Sequence, residues 1–235
     1  MTGVRATISG IGNAVAFRNQ QRDLVEIVIA FVLLLLSTWT SGALQVLLWC
    51  VLTAFIAAVI CLSFDGTESM GLRSTNLSQS LWVVGVAMAI AAVAVLSAIR
   101  LHTLHLPPSP ILFVQHYGGY ALWATMQQFL LQCFLLSRLL RLLPDAKSAA
   151  VIAAVMFAVT HLPSPILTPV TLIGGLAACA LFLRYRNLYP IAMAHAILGI
   201  AMAVTIPGPV HHNMRVGLSY LTYASKPAEL PQSLK

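Results

Sequence analysis

Charged residues are scarce in this sequence, and acidic residues are the scarcest of them. Only 8% of the 235 residues are charged, with 13 Lys and Arg against six Asp and Glu, whereas 59% are hydrophobic. The mean hydropathy is +0.89. A soluble core is not so apolar, and the composition therefore excludes an ordinary soluble domain and predicts an all-α, polytopic membrane protein.

Cysteines with the spacing of a metal or redox motif are also missing. Cys50, Cys61, Cys133 and Cys179 all lie inside apolar runs, and no CxxC pair occurs. They are interpreted as small buried hydrophobic residues. A signal-peptide cleavage site followed by a polar mature domain is absent as well, so we expect the first apolar stretch to be a retained helix.

Long apolar runs are what the chain has in abundance. A helix needs about 20 apolar residues to cross the hydrocarbon, and about seven membrane-spanning helices are predicted, at residues 24–40, 43–64, 78–99, 119–141, 148–162, 166–183 and 188–206. The fifth is short, because Pro163 and Pro165 cannot continue it. Residues 100–118 hold three His and three Pro and are predicted to form an interfacial loop, and the tail from Pro207 to be loosely ordered.

The basic residues lie at the ends of these runs and predict an orientation. A cytoplasmic N-terminus places nine of them in the cytoplasm, namely Arg5, Arg18, Arg22, Arg73, Arg138, Arg141, Lys147, Arg184 and Arg186. It leaves four outside, namely Arg100, Arg215, Lys226 and Lys235. This asymmetry favours a multi-pass protein of the cell (inner) membrane with its N-terminus in the cytoplasm, and it explains the basic excess without nucleic acid.

The sequence shows no internal repeat and no second soluble domain. We expect a cytoplasmic N-terminal segment over 1–23, two transmembrane helices within 24–64, a transmembrane core over 65–206 and a C-terminal tail over 207–235.

Polar side chains within the predicted helices are the candidates for function. Helix four carries Gln127, Gln128 and Gln132, helix five carries Phe157 and His161, and helix seven carries His195. A lone Gln or His in a membrane helix more often bonds a neighbouring helix than performs chemistry. Three such clusters on three helices are harder to explain in that way.

The spacing of the three clusters resembles the CPBP family of intramembrane endopeptidases, which includes the CAAX-protease and bacteriocin-processing groups. The family pattern is Glu-Glu-x-x-x-Arg, Phe-x-x-x-His and His-x-x-x-Asn. The corresponding positions here are Gln127-Gln128-x-x-x-Gln132, Phe157-x-x-x-His161 and His195-x-x-x-Gly199. The segments 70–73 and 186–190 add to the likeness, which covers roughly residues 65–206.

The resemblance implies an endopeptidase in which the first Glu and a His activate water while the other His and the Asn stabilise the oxyanion. Only Phe157, His161 and His195 match that pattern here. A carboxamide cannot act as a base, and all six carboxylates lie at or beyond the predicted helix ends. We therefore predict the loss of glutamate-dependent proteolysis, and whether the chain is an enzyme stays open.

Two alternatives follow. One is a divergent protease in which His161 or His195 acts as the base. The other is a non-catalytic immunity, maturation or scaffold protein that binds a membrane or prenylated peptide through the old cleft. A small transporter ranks third, because an acidic relay and an inverted repeat are both missing.

No cofactor is predicted from this residue set. A metal held by His161 and His195 would have two strong protein ligands, whereas zinc hydrolysis sites usually have three. The partner that the composition does predict is the lipid bilayer. We expect Gln128, His161 and His195 to share one polar pocket, and the remaining histidines to be interfacial and irrelevant to it, namely His102, His105, His116, His211 and His212.

Overall fold

The computed structural model describes residues 2–63, 66–68, 70–73 and 76–223, with side chains from residue 19 onward. In these ranges helices are the only regular secondary structure, which confirms the predicted all-α membrane bundle. The α-helices are α1 (Thr2–Thr38), α2 (Gly42–Leu62), α3 (Leu77–Ser80), α4 (Trp82–Arg100), α5 (Pro110–Phe129), α6 (Ser137–Leu142), α7 (Ala146–Val159), α8 (Leu167–Tyr185), α9 (Leu188–Thr205), α10 (Gly208–His211) and α11 (Gly217–Leu221). A π-helix, Leu130–Leu136, joins α5 to α6, and a 3₁₀-helix, His212–Met214, follows α10.

Within the part of the chain that the structure describes, four helical stretches are long and apolar enough to cross a membrane. They are Gly42–Leu62, Leu77–Arg100, Leu167–Tyr185 and Leu188–Thr205. Helix α7 is apolar but shorter, as the prolines after it predicted. Each of the seven predicted segments coincides with a helix or a run of consecutive helices.

Three sequence-based boundaries are wrong. Helix α1 begins at Thr2 and not near residue 24, so the predicted N-terminal segment is helical. Helix α5 begins at Pro110 within the predicted loop, because Ser109 accepts a hydrogen bond from the Leu112 amide and Pro110 suits the first helical position. Beyond Pro207 the chain forms two short α-helices and a 3₁₀ turn up to residue 221.

Small residues bring the central helices into close contact. Ala149, Ala153 and Ala154 of α7 are fully buried. A Cβ added to Gly175 of α8 would lie 3.3 Å from the Cβ of Ala154. Helices in lipid associate through such close packing. Lipid tails are as apolar as leucine, so no hydrophobic effect drives the helices together.

The basic residues gather at two opposite ends of the bundle. Arg141 pairs with Asp23, and Glu26 pairs with both Arg22 and Arg138. The loop before α3 reaches the same end, where the Gly71 carbonyl accepts a hydrogen bond from the Leu188 amide.

At the other end, the His105 amide bonds to the Val204 carbonyl and the Gly217 amide to the Leu162 carbonyl. Arg100 and Arg215 lie at this end. Lys226 and Lys235 lie outside the described residues, and so does Asp65, whose predicted place was beyond a helix end.

Candidate intramembrane site

The helices surround a cavity of about 1210 Å³. Most of its wall is apolar and comes from α1, α2, α4, α5, α7, α8 and α9. Six of the residues singled out in the sequence line it, namely Gln127, Gln128, Phe157, His161, His195 and Gly199. The seventh, Gln132, lies behind this wall and is fully buried.

A chain of amides connects the first and third sequence clusters. The Gln128 side-chain nitrogen lies 2.9 Å from Nδ1 of His195. The Gln132 amide in turn donates to Oε1 of Gln128 at 3.2 Å. Gln128 lies in the last turn of α5, and Gln132 lies in the π-helix that follows. Such π-helical distortions are often found at functional sites.

His161 is held by its own helix. Its Nδ1 lies 2.8 Å from the Phe157 carbonyl oxygen, and since a carbonyl only accepts, this nitrogen carries the proton. The Nε2 atom of His161 therefore presents a lone pair. Only 8% of the residue is exposed.

Phe157 lies between the two histidines. Its ring centroid is 4.8 Å from that of His161 and 6.1 Å from that of His195, both edge-on. The phenylalanine of the second cluster thus contacts the histidines of the second and third clusters through ring-edge interactions.

The hydrogen bonds set what the two imidazoles offer. With the Gln128 amide donating to Nδ1, neutral His195 carries its proton on Nε2. The pair then presents one donor, on His195, and one acceptor, on His161. Rotating the amides of Gln128 and Gln132 by 180° reverses the role of His195. In either arrangement the imidazoles of His161 and His195 offer hydrogen-bond donors and acceptors, and no described carboxylate lines the cavity beside them.

Two of the glutamines lack some of the partners expected for them. Gln127 is half-buried in the cavity wall, and no hydrogen bond of its side chain occurs among the described residues. Gln132 is completely buried, and its Oε1 has no hydrogen-bond partner there. Gln128 and His195 thus bond to each other, whereas Gln132 is only partly satisfied.

Gly199 is covered by a tyrosine from the neighbouring helix. A Cβ built on Gly199 would lie 1.8 Å from the hydroxyl oxygen of Tyr120 and 2.5 Å from its Cζ. The space that a side chain at position 199 would need is therefore filled by Tyr120. Sequence reasoning missed this residue, although Tyr120 lies seven positions before Gln127 and hence on the same helix face.

The carboxylates of the described residues are all engaged or remote. Asp23 and Glu26 lie inside α1 and not at a helix end as predicted. Both carboxylates form ion pairs with arginines. Glu68 is exposed in the loop before α3.

Asp145 caps α7 by accepting from the Ser148 amide, a bond that lowers the pKa of its carboxyl. None of these four lines the cavity. Glu229 lies outside the described residues.

The described residues contain no group of three or more His, Cys, Asp and Glu side chains placed to hold a metal ion.

Three of the five histidines predicted to be irrelevant to the site in fact line the same cavity. His105, His116 and His211 line its far end, together with Arg215. The prediction failed because it assigned these residues to an interfacial loop and a loose tail. His116 lies in α5 and His211 in α10, and the His105 amide bonds to the Val204 carbonyl of α9. His102 and His212 are not part of the wall.

Comparison with known proteins finds one family over the helices that surround the cavity. Residues 110–201 match the model of the family described as type II CAAX prenyl endopeptidase Rce1-like. The match begins with α5, ends within α9 and contains all seven motif positions. No curated protein and no solved structure matches the chain. The predicted resemblance is thereby confirmed: the chain is a membrane protein that is similar to the CAAX proteases over residues 110–201, from α5 to α9.

Proposed function

We propose that this protein binds a membrane or prenylated peptide in its intramembrane cavity and does not perform glutamate-dependent proteolysis. The observation that carries the proposal is the hydrogen-bonded chain from Gln132 through Gln128 to His195, in which two amides stand where the resemblance implies a Glu, at Gln128, and its Arg, at Gln132. An amide can donate and accept hydrogen bonds, but it cannot deprotonate water.

The cavity suits a peptide that carries an apolar group. Its volume of about 1210 Å³ exceeds the roughly 300–1,000 Å³ of small-molecule pockets. The apolar wall accommodates a lipid chain or large side chains. The donor and acceptor offered by His195 and His161 match the amide groups of a peptide, which would otherwise be unsatisfied in hydrocarbon.

A second candidate function rests on the same histidines. If the Gln128 amide is rotated, both imidazoles present a lone pair on Nε2, and either could act as a base. This alternative differs from the first in requiring that turnover depend on His161.

We expect the purified full-length chain to leave a prenylated test peptide intact while still binding it. The missing general base accounts for about 10² to 10⁴ in rate, and the missing asparagine for a further loss of similar order. Cleavage would be followed by mass spectrometry, and binding by crosslinking of a peptide with a photoreactive prenyl group. Product formation that disappears in His161→Ala would contradict the proposal and establish the histidine-based protease.

A pair of glycine variants tests whether the peptide binds in the cavity, one as the test and the other as its matched control. Gly174 lines the cavity and Gly118 does not, and a Cβ at either position meets no atom within 4 Å. Gly174→Phe should block crosslinking by filling the cavity, whereas Gly118→Phe should leave it unchanged. Equal crosslinking in both variants would show that the peptide binds elsewhere.

The topology is part of the proposal: the chain lies in the cell (inner) membrane with its N-terminus in the cytoplasm. The described basic residues support it, because Arg22, Arg73, Arg138 and Arg141 lie at one end of the bundle and Arg100 and Arg215 at the other. Reporter fusions at Lys147 and Arg186 should both be cytoplasmic, and a periplasmic signal from either would overturn the helix arrangement.

A further inference from the structure

Among the described residues, Arg215 is the only Asp, Glu, Lys or Arg in the wall of the cavity. It makes no ion pair with any described carboxylate, and its guanidinium lies 5.4 Å from the ring centroid of Tyr223. The residue is exposed at the end of the bundle where the loop before α5 meets the segment after α9. A cation at a cavity mouth with no acid facing it attracts an anion.

His211 provides a second, independent observation at the same end. The residue is only 2% exposed, and its Nε2 has no partner among the described residues. Its Nδ1 lies 3.3 Å from the Gly208 carbonyl oxygen. A buried and unsatisfied nitrogen in a cavity wall costs free energy unless a ligand or water reaches it.

The surroundings of His211 are basic throughout. Burial lowers the pKa of His211, the Gly208 carbonyl opposes that effect, and the proximity of His105 and His212 lowers the pKa further. Arg215 adds a fixed positive charge to the same part of the wall. No described carboxylate is placed to compensate these groups, so an arriving anion would meet a favourable potential and would also favour the protonated form of His211.

The segment that carries His211 and Arg215 follows α9, a helix long and apolar enough to cross a membrane, so we expect it at the level of the lipid headgroups. The segment after α9 consists of short helices and turns, and it packs against the loops that close the bundle, through the Gly217 amide and the Leu162 carbonyl. Basic pockets between transmembrane helices near the interface bind anionic lipid headgroups. Apolar residues of α4 and α9 belong to the wall of the same cavity and provide the surface that an acyl chain requires.

We propose that an anionic phospholipid occupies this end of the cavity, with its phosphate at Arg215 and His211 and an acyl chain along the apolar wall. The proposal goes beyond peptide binding and does not require it, because it concerns the rim and not the glutamine and histidine cluster. A zwitterionic phospholipid carries a compensating cation next to its phosphate and fits a rim without carboxylates less well.

The test uses the full chain reconstituted in nanodiscs that contain equal amounts of phosphatidylcholine and phosphatidylglycerol. After extraction, native mass spectrometry counts the lipids that stay bound. We expect phosphatidylglycerol to be enriched over phosphatidylcholine, and Arg215→Gln to reduce that enrichment by about tenfold, as for the loss of one charge-assisted hydrogen bond. Arg100→Gln is the matched control, because Arg100 is exposed at the same end but does not line the cavity.

Equal enrichment in the wild type, Arg215→Gln and Arg100→Gln would overturn the proposal, and so would equal retention of the two lipids by the wild type. A further arm adds prenylated peptide with a free or an amidated C-terminus. If Arg215→Gln weakens binding of the free acid alone and leaves lipid retention unchanged, the anion at the rim is a peptide carboxylate and the lipid assignment is wrong. Lipid enrichment without any peptide crosslinking would instead contradict only the proposed function.

Discussion

Replacing Glu26 by Gln is expected to destabilise the folded chain by about 3–5 kcal/mol, because it strands a buried arginine. Arg138 is 4% exposed, and its Nε donates to Glu26 at 2.8 Å. The guanidinium also stacks on Phe134, 4.0 Å from the ring centroid, and is enclosed between α1 and α6. Unfolding by sodium dodecyl sulfate titration, followed by circular dichroism, measures the loss.

Two variants separate charge from packing. Asp23→Asn removes an ion pair whose arginine, Arg141, has a side chain 47% exposed, so the loss should be about 1 kcal/mol or less. The double variant Glu26→Met with Arg138→Met should recover most of the stability, because it removes both charges and keeps the volume. If Glu26→Gln unfolds no more easily than Asp23→Asn, the pair does not hold α1 to α6.

The helices could be predicted from the sequence where hydropathy alone determines them. A long apolar run is expected to be helical in lipid, because a helix satisfies the hydrogen bonds of its backbone N–H and C=O groups within the segment itself. Helix α1 shows the limit of that argument. Residues 2–23 are too polar for a hydropathy criterion, and the partners of Asp23 and Glu26 lie 118 and 112 residues away along the chain.

The candidate site was predictable in its membership but not in its geometry. Motif spacing identified Gln128, His161 and His195 because residues four apart share a helix face. The π-helix changes the register after Gln128, which is why Gln132 lies behind the wall and not in it. The rim residues His211 and Arg215 were missed because nothing in a proline-containing tail signals that it folds back on the bundle.

The contact between Tyr120 and Gly199 could not be predicted, because it depends on the separation of α5 and α9. It has a strong consequence. Any side chain at position 199 must displace the rigid tyrosine ring, and overpacking of this kind costs about 1–3 kcal/mol or more. We therefore expect Gly199→Ala to be destabilising, although alanine favours helix.

Gly174→Ala is the matched control for that variant. Gly174 is also a helical glycine, and a Cβ there meets no atom within 4 Å, so the change should be neutral or stabilising by up to about 1 kcal/mol. Adding Tyr120→Ala should restore the stability of Gly199→Ala, since the ring that clashes is removed. Detergent unfolding of the unmodified chain, Gly199→Ala, Tyr120→Ala and the double variant forms a double-mutant cycle. The double variant should be more stable than the sum of the two single losses predicts. Additive losses would contradict the contact.

The same contact decides whether the family motif can be restored. The quadruple change Gln127→Glu, Gln128→Glu, Gln132→Arg and Gly199→Asn supplies the missing base, its counter-charge and the oxyanion donor, but Tyr120 occupies the place of the asparagine. We expect this variant to be poorly folded and inactive. Adding Tyr120→Ala opens that space, and the quintuple variant should cleave a prenylated peptide in a His161-dependent manner, with a gain of about 10² or more over the unmodified chain. Cleavage by the quadruple variant with Tyr120 intact would show that the tyrosine moves aside freely, and that the glutamines alone keep the unmodified site inactive.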